Sequence, residues 1–385
     1  MEVYTPALEL IGFLEIQRSV IWSEKAFSAG KFSVESLITA ESMTMLQPEN
    51  IIWIEGETAG IIETVLEESG PNGPYITAGG PTLTGILDRR VLWGTYNLKG
   101  TAPEIMHQLV NDCCINPTRG NVDRRKISGL VLLDAPADGD TIQLQATGGT
   151  LLERLEALGK TYGVAFGVRF NPAVPQMEFW TLRGQDRSIR QSKNNPVLYS
   201  TELDDVLSSE YTYNSQDYSN VALVAGEGEG ADRVYVTVEN KAEEPDTPVL
   251  PTQSAYMTSP PTGLARRELF IDARDLQSDA DPESPLTAEE YAALLVNRGR
   301  QKLAANQLVR SFAAEVRTFD PTYPYGEDFQ LGDTITVTDE RLGITVDAVV
   351  QGVERSISAD GESLTLMLGY GQPTIFDKLK QKEDK

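Results

Sequence analysis

The segment Tyr325–Tyr370 most strongly limits what this chain can fold into, because its apolar residues recur with the period of a β-strand. The alternation covers Thr334–Thr338, Ile344–Val350 and Leu364–Leu368. Residue pairs that suit tight turns separate these runs: Gly332-Asp333, Leu342-Gly343 and Asp360-Gly361. The segment therefore predicts a β-meander that closes a barrel or forms a sandwich edge. It offers no base, nucleophile or metal cage.

Length and charge limit the function classes further. A chain of 385 residues is longer than one hydrophobic core usually supports, so we expect about two to four domains. The formal net charge of −24, from 57 acidic and 33 basic residues, argues against binding nucleic acid through its phosphates. The negative charge either only keeps the protein soluble or prevents a surface that lies beside nucleic acid from adhering to it. No stretch approaches the roughly 20 apolar residues of a membrane span, and the N-terminus lacks signal-peptide features.

The residues that most often perform chemistry are scarce or poorly placed. His107 is the only histidine, which excludes His-dyad and multi-His metal sites. Cys113 and Cys114 are neighbours, and because a vicinal disulfide is strained we predict a buried, reduced thiol pair. Asp138 and Asp140 could belong to a calcium-binding loop, but the sequence around them lacks the remaining ligands. We therefore predict a solvated turn there.

Three further motifs also have plain structural interpretations. The acidic stretch 275–283 is a poor match to a metal loop, because it lacks the glycine and contains Pro282. The loop Gly226–Gly230 is followed by a strand, and its glutamates would repel a pyrophosphate, so we predict a hairpin loop. A basic run predicts a solvated or ion-paired face: Arg298, Arg300, Lys302 and Arg310. The sequence thus predicts no catalytic, cofactor-binding or metal residues.

The pattern of elements predicts an α+β, β-rich, multidomain chain. Capping boxes at Thr101–Glu104 and Thr150–Glu153 begin helices of a central unit, and a third at Thr287–Glu290 begins a long helix extending to about Val316. The predicted domains are a β-barrel-like domain at 1–95, an α+β domain at 96–195, a second β-barrel-like domain at 196–240 and 310–372, a peripheral excursion with the acidic loop and long helix at 241–309, and a charged tail at 373–385.

In this order the blocks resemble phage tail hub proteins, the siphovirus tail-tip or baseplate hub family that also forms the N-terminal structural part of tail-associated lysins. Four segments support the resemblance: ELIGFLEIQRSVIWSEKAF at 9–27 with FSVES at 32–36, TLTGILDRRV at 82–91, TLLERLEALGKTYGVAF at 150–166, and FQLGDTITVTDERLGI at 329–344. Together they span almost the whole chain, and none of them is a catalytic signature.

The resemblance implies a homotrimer in the virion, made in the bacterial host cytoplasm and not inserted in a membrane. Two barrel-like domains per chain would lie around a ring, so that three chains match the sixfold tail tube. The ring would close the distal end of the tube and pass tape-measure protein and DNA through its lumen, without specific DNA binding. The implied partners are the distal tail protein ring, the tape-measure protein, and tail-tip, central-fibre or receptor-binding proteins.

Besides this non-enzymatic structural role, the sequence leaves two other functions open, a cell-wall hydrolase and a carbohydrate-binding module. Members of the resembled family often carry a cell-wall hydrolase domain after the hub, but here about fifteen residues follow Tyr370, too few for one. A peptidoglycan-degrading site could still use paired carboxylates among Glu153, Glu156 and Glu178, although Glu153 caps a helix and the others are predicted at the surface. A carbohydrate-binding module could use three aromatic residues, Trp180, Tyr211 and Tyr213. These residues fit a core strand better than a sugar-binding surface.

Overall fold

The structure, a computed structural model, describes residues 1–15, 18–54, 59–70, 73–120, 122–136, 138–239, 261–280, 285–318, 321–340, 343–359 and 361–369. Strands form 44% and helices 20% of the molecule, which confirms the predicted β-rich α+β class with several sheets. Within the described ranges, none of the helices has both the length and the apolar content needed to cross a membrane.

The first block is mostly strand. Its elements are β1 (Glu2–Tyr4), β2 (Leu10–Phe13), β3 (Ser19–Lys25), β4 (Lys31–Leu37), α1 (Ala40–Met45), β5 (Ile51–Trp53), β6 (Gly60–Ile61), β7 (Thr64–Gly70), β8 (Gly73–Pro81) and a 3-10 helix (Leu83–Arg89). α1 was not predicted; it is capped by Thr39 and Ser42, with Ser42 in place of the usual glutamate or glutamine.

The central unit alternates helices and strands. It contains β9 (Thr95–Gly100), α2 (Ala102–Val110), a π-helical turn (Asn111–Ile115), α3 (Val122–Arg125), β10 (Leu130–Leu132), β11 (Ile142–Thr147), α4 (Leu151–Tyr162), β12 (Val164–Asn171) and β13 (Gln176–Arg183). The capping boxes predicted at Thr101 and Thr150 are present, and α4 ends at Gly163 in the left-handed conformation.

The third region returns to strands around one long helix. It contains β14 (Leu198–Ser200), β15 (Val206–Asn214), β16 (Val221–Ala225), β17 (Tyr235–Glu239), β18 (Glu268–Asp272), α5 (Ala288–Ala305), β19 (Val309–Val316), β20 (Thr334–Asp339), β21 (Ile344–Ser358) and β22 (Gly361–Gly369), with 3-10 turns at Gly230–Asp232 and Gly263–Ala265. The meander predicted from the last block is confirmed as β20, β21 and β22.

The long helix is shorter than predicted. The sequence predicts it to about Val316, whereas α5 ends at Ala305 and β19 begins at Val309. From Val309 onward the period changes to two, because Phe312, Ala314 and Val316 are buried on one face of a strand that pairs on both sides. Helix-compatible alanines at 313 and 314 obscure this change in the sequence.

One large sheet joins the two ends of the chain. Its eight-strand path runs β15-β19-β22-β21-β3-β4-β8-β7, and neighbouring strands along it are antiparallel. β20 pairs with the first part of β21, and β14 pairs with β20, completing ten strands. The sequence predicts two separate barrel-like domains, but in the described residues no sheet closes into a barrel, and strands of both blocks share this open sheet.

β21 has different partners before and after Gly352. The register with β22 shifts between Val350 and Gly352, as at a β-bulge. A Cβ on Gly352 would lie 2.8 Å from Met367 Cε and 3.0 Å from the Glu24 carbonyl oxygen, so neighbouring strands approach closely there. Residues before the shift pair with β20, and residues after it pair with β3.

The smaller sheets pack around this framework. β2-β1-β5-β6 forms a four-stranded sheet, β10-β13-β12 and β11-β9 lie in the central unit, and β17-β16-β18 forms a three-stranded sheet. β16 pairs with β17 on one side and β18 on the other, and this sheet packs on α5 through apolar residues such as Ala222, Val224 and Leu295. The buried Asn297 of α5 also donates to the Gln143 carbonyl at 2.7 Å, joining that helix to the central unit.

Asp333 attaches the segment that follows the central unit to the large sheet. Its side chain is fully buried; one oxygen accepts from the Gln185 amide at 2.6 Å, and the other accepts from Arg187 Nε at 3.0 Å and the Gln330 amide at 3.1 Å. Burying a carboxylate is costly unless it is paired and hydrogen-bonded, as it is here. The segment after β13 is therefore held against β20.

His107 lies in the core of the central unit. Its Nε2 is 3.0 Å from Thr181 Oγ1, and its ring meets Phe179 edge-on. Burial lowers the pKa of His107 below its usual 6.5, against an opposing effect of Asp134. The imidazole is therefore a neutral structural group. Cys113 and Cys114 are buried in the same core, as predicted.

We expect Asp333→Ala to destabilise the protein by about 3–5 kcal/mol, because it leaves the largely buried Arg187 unpaired and removes the acceptor of two amides. Asp333→Asn should cost less, since it keeps one acceptor oxygen. Chemical unfolding followed by circular dichroism measures both. The matched control is Glu268→Ala, which removes the exposed Arg266–Glu268 pair and should cost about 0–1 kcal/mol. Equal losses in Asp333→Ala and the control would contradict the role of Asp333.

We also expect stability to fall as the pH drops below 6.5 because of His107. His107 binds a proton more readily in the unfolded chain than in the folded chain. The resulting loss of stability is absent above pH 6.5 and increases as the pH falls towards the lowered pKa of the folded protein. Melting temperatures measured between pH 7.5 and 5.5 should fall less in His107→Gln than in the wild type. Since the chain has one histidine, parallel curves for the two proteins would contradict this assignment.

Candidate functional site

The two outermost strands of the eight-strand path form the largest feature that could act in assembly. Among the described strands, β7 pairs only with β8 and β15 only with β19. Leu66 on β7 and Leu207 and Tyr211 on β15 are exposed. An edge strand presents backbone N–H and C=O groups that can pair with a strand of another chain. These edges can therefore extend the sheet between molecules.

The carboxylates considered for hydrolysis have structural roles. Glu153 accepts from the Thr150 amide as a capping residue, and Glu156 pairs with Lys160 at 3.1 Å. Glu178 is buried, contrary to its predicted surface position, because it receives hydrogen bonds across the β12–β13 hairpin. Those from Asn171, Gln176 and Arg169 lower its pKa to about 2, although burial acts in the opposite direction. A permanently ionised Glu178 would be a poor general acid.

The aromatic residues considered for sugar binding lie apart in the fold. Trp180 is half-buried on β13 and packs beside Gly167, where a Cβ would lie 2.8 Å from its ring. Tyr211 and Tyr213 are exposed on the edge strand β15, so the prediction that they fit a core strand is wrong. They lie on an outermost strand of the eight-strand path.

The predicted loops have ordinary structural partners. Asp138 pairs with Arg183 at 3.3 Å, and Asp275 receives two hydrogen bonds from Arg298. The loop Gly226–Gly230 joins β16 and β17 as a hairpin, as predicted. No group of three metal-ligating side chains occurs among the residues the structure describes; positions 281–284 of the acidic stretch and the side chain of Arg310 lie outside them.

A basic and aromatic surface on the central unit was not predicted. We call it the Trp93 patch and define it as Arg90, Trp93, Arg119, Arg124, Arg125 and Lys126. It forms where the segment after the first 3-10 helix meets the loop around α3: Arg90 Nε donates to the Arg125 carbonyl at 2.8 Å and Arg119 Nη1 to the Trp93 carbonyl at 3.2 Å. The only sign of this surface in the sequence is the two dibasic pairs at 89–90 and 124–125. The sequence does not show that these pairs lie close together, because that depends on the fold.

Solved structures share this fold. A tail protein from Neisseria meningitidis MC58 is 14% identical, with 96% of this chain and 95% of that chain covered and a TM-score of 0.52. The 43 kDa tail protein of prophage MuSo2 from Shewanella oneidensis is also 14% identical, covering 91% and 93%, with a TM-score of 0.52. Prophage tail protein gp18 from Listeria monocytogenes EGD-e is 12% identical, covering 100% and 98%, with a TM-score of 0.50.

Sequence comparison gives the family. No curated protein matches the chain. The family model of the Siphovirus ReqiPepy6 Gp37-like proteins matches residues 1–370, which is nearly the whole chain. The resemblance to siphovirus tail proteins stated from four segments is therefore confirmed, and a place in the virion follows from it. The chain belongs to the family of Siphovirus ReqiPepy6 Gp37-like proteins and is a phage tail protein.

Proposed function

We propose that this tail protein forms a homotrimeric hub ring that closes the distal end of the tail tube and connects it to tip or host-recognition proteins. The observation that supports the proposal is the eight-strand antiparallel path, whose end strands each have a single partner among the described strands. A surface that is complementary to a different surface of the same molecule builds a closed ring when the rotation closes. Here β15 of one copy would pair with β7 of the next.

The number of strands fits such a ring. With eight strands alternating in direction, β7 and β15 run in opposite directions, so copies related by rotation about a ring axis would continue the antiparallel order across each junction. Each chain supplies two four-strand halves, β7-β8-β4-β3 and β21-β22-β19-β15. Three chains would present six such halves to the sixfold tube, which replaces the two closed barrels expected from sequence.

The remaining parts have proposed positions around the ring. The central unit and the peripheral part with α5 would lie outside, and the ring would contact the distal tail protein ring, the tape-measure protein and tip or receptor-binding proteins. The domain boundaries given from sequence stay a proposal. The excess of acidic residues would line the lumen and repel DNA in transit. A positively charged bore in the trimer would contradict that last role.

We expect the purified protein to form trimers at micromolar concentration, measured by native mass spectrometry and light scattering. Lysines at both Leu207 and Tyr211 should shift the mass to that of one chain, because charged side chains on an edge oppose strand pairing. The loss should be on the order of 100-fold in association, or about 3 kcal/mol. The matched control Val174→Lys changes an equally exposed apolar residue on the β12–β13 turn and should remain trimeric. A wild type that stays monomeric or forms dimers would contradict the ring.

We propose that the chain is not an enzyme, and this has a separate test. Incubation with purified peptidoglycan should release no more soluble fragments than the heat-denatured protein, since the three candidate glutamates are bound in a cap, an ion pair and a buried network. Release above this background that is lost in Glu178→Gln would establish the hydrolase alternative instead.

A further inference from the structure

The Trp93 patch concentrates positive charge that has no ion-pair partner among the residues the structure describes. Most described arginines have a carboxylate partner; for example, Arg89 contacts Glu49 and Glu63 at 2.6 and 2.7 Å. In the described residues, no carboxylate lies within 4.0 Å of the charged groups of the five cations in the patch: Arg90, Arg119, Arg124, Arg125 and Lys126. With a net charge of −24, such a cluster is not needed for charge balance.

The indole of Trp93 is exposed and held in place. Its side chain is 49% exposed, and the Arg125 guanidinium lies 5.3 Å from the ring centroid. Gly120 has a positive φ of 75°, and a Cβ there would be 2.7 Å from Trp93 Cε3, so the ring packs against the glycine backbone. A large aromatic group fixed in the unbound protein loses little conformational freedom on binding.

The surrounding backbone is fixed by the arginines themselves. Arg125 is buried and donates to the Val91 carbonyl at 2.8 Å and the Arg119 carbonyl at 2.9 Å. Arg119 donates to the Thr95 carbonyl at 2.5 Å and lies over the Tyr96 ring at 4.2 Å. Arg124 and Lys126 are exposed beside them. Two arginines thus position the surface, and two free cations complete it.

We propose that the Trp93 patch is a docking surface for another protein that presents carboxylates around an apolar side chain. Tryptophan and arginine are the residues that most often dominate binding energy at protein interfaces. The carboxylates would pair with Arg124 and Lys126, and the apolar group would cover the exposed indole and the neighbouring Val91, itself 46% exposed. This proposal does not depend on the trimer.

Nucleic acid fits the same surface less well. The acidic chain repels a polyanion at long range, whereas a protein surface of mixed charge is attracted locally. Asp123 is exposed next to Arg124, and it would repel a phosphate but accept a basic group of a protein partner. The observations therefore favour a protein.

The test uses the full chain and a short fluorescein-labelled peptide of glutamates flanking two leucines, with fluorescence anisotropy at low salt. We expect Arg124→Glu/Lys126→Glu and, separately, Trp93→Ala to weaken peptide binding at least about tenfold. The matched control Lys31→Glu/Lys193→Glu makes the same change of charge at two other exposed lysines and should bind like the wild type. Unchanged melting temperatures show that each variant is folded.

Four results would overturn the proposal. The wild type does not bind the peptide, or the control reversal weakens binding as much as the patch reversal. A single-stranded oligonucleotide of the same charge binds more tightly than the peptide and is lost in Arg124→Glu/Lys126→Glu, which would assign the patch to nucleic acid. The patch reversal dissociates an assembly of this chain in native mass spectrometry, which would assign the patch to a contact between copies.

Discussion

The pairing of β3 with β21 is the interaction on which the rest of the structure depends. Seven residue pairs, from Ser19–Ser358 to Lys25–Gly352, join the first and last parts of the chain in one antiparallel ladder. Without it, the eight-strand path would separate into two four-strand pieces, each with an extra unpaired edge. With it, the end strands of the path are β7 and β15, each with one partner among the described strands. The relative position of these two strands is therefore set by the fold of a single chain.

The central unit is attached to this sheet at several separate points. The Phe166 amide donates to the Ala26 carbonyl, the Val168 amide donates to Thr84 Oγ1, and Asp333 binds the segment after β13. Since these contacts come from both the first and the last blocks of the chain, the unit is held at more points than a single linker would provide. Its outer surface, including the Trp93 patch, keeps a fixed position relative to the sheet edges.

Features encoded by local sequence could be predicted, whereas features that arise between distant segments could not. The three capping boxes and the terminal meander follow from residue types at fixed spacing, and the structure confirms them. The β3–β21 pairing has no local signal, because any strand with matching alternation could take that place. The burial of Glu178 depends on Asn171 and Arg169 across a hairpin, and the Trp93 patch depends on two loops meeting. The predicted end of α5 was wrong for a different reason, because the strand that follows the helix contains two alanines, which are good helix formers.

The β3–β21 pairing also has a consequence for how the protein forms. Because β3 is made early and β21 late, the edge of β3 stays unpaired until nearly the whole chain has left the ribosome. Sheets whose strands are this distant in sequence fold slowly, since the chain must close a long loop before those contacts form. During that interval β3 could pair with the wrong strand of another nascent chain. The yield of correctly folded protein in an infected cell would then depend on chaperones that cover this strand during synthesis.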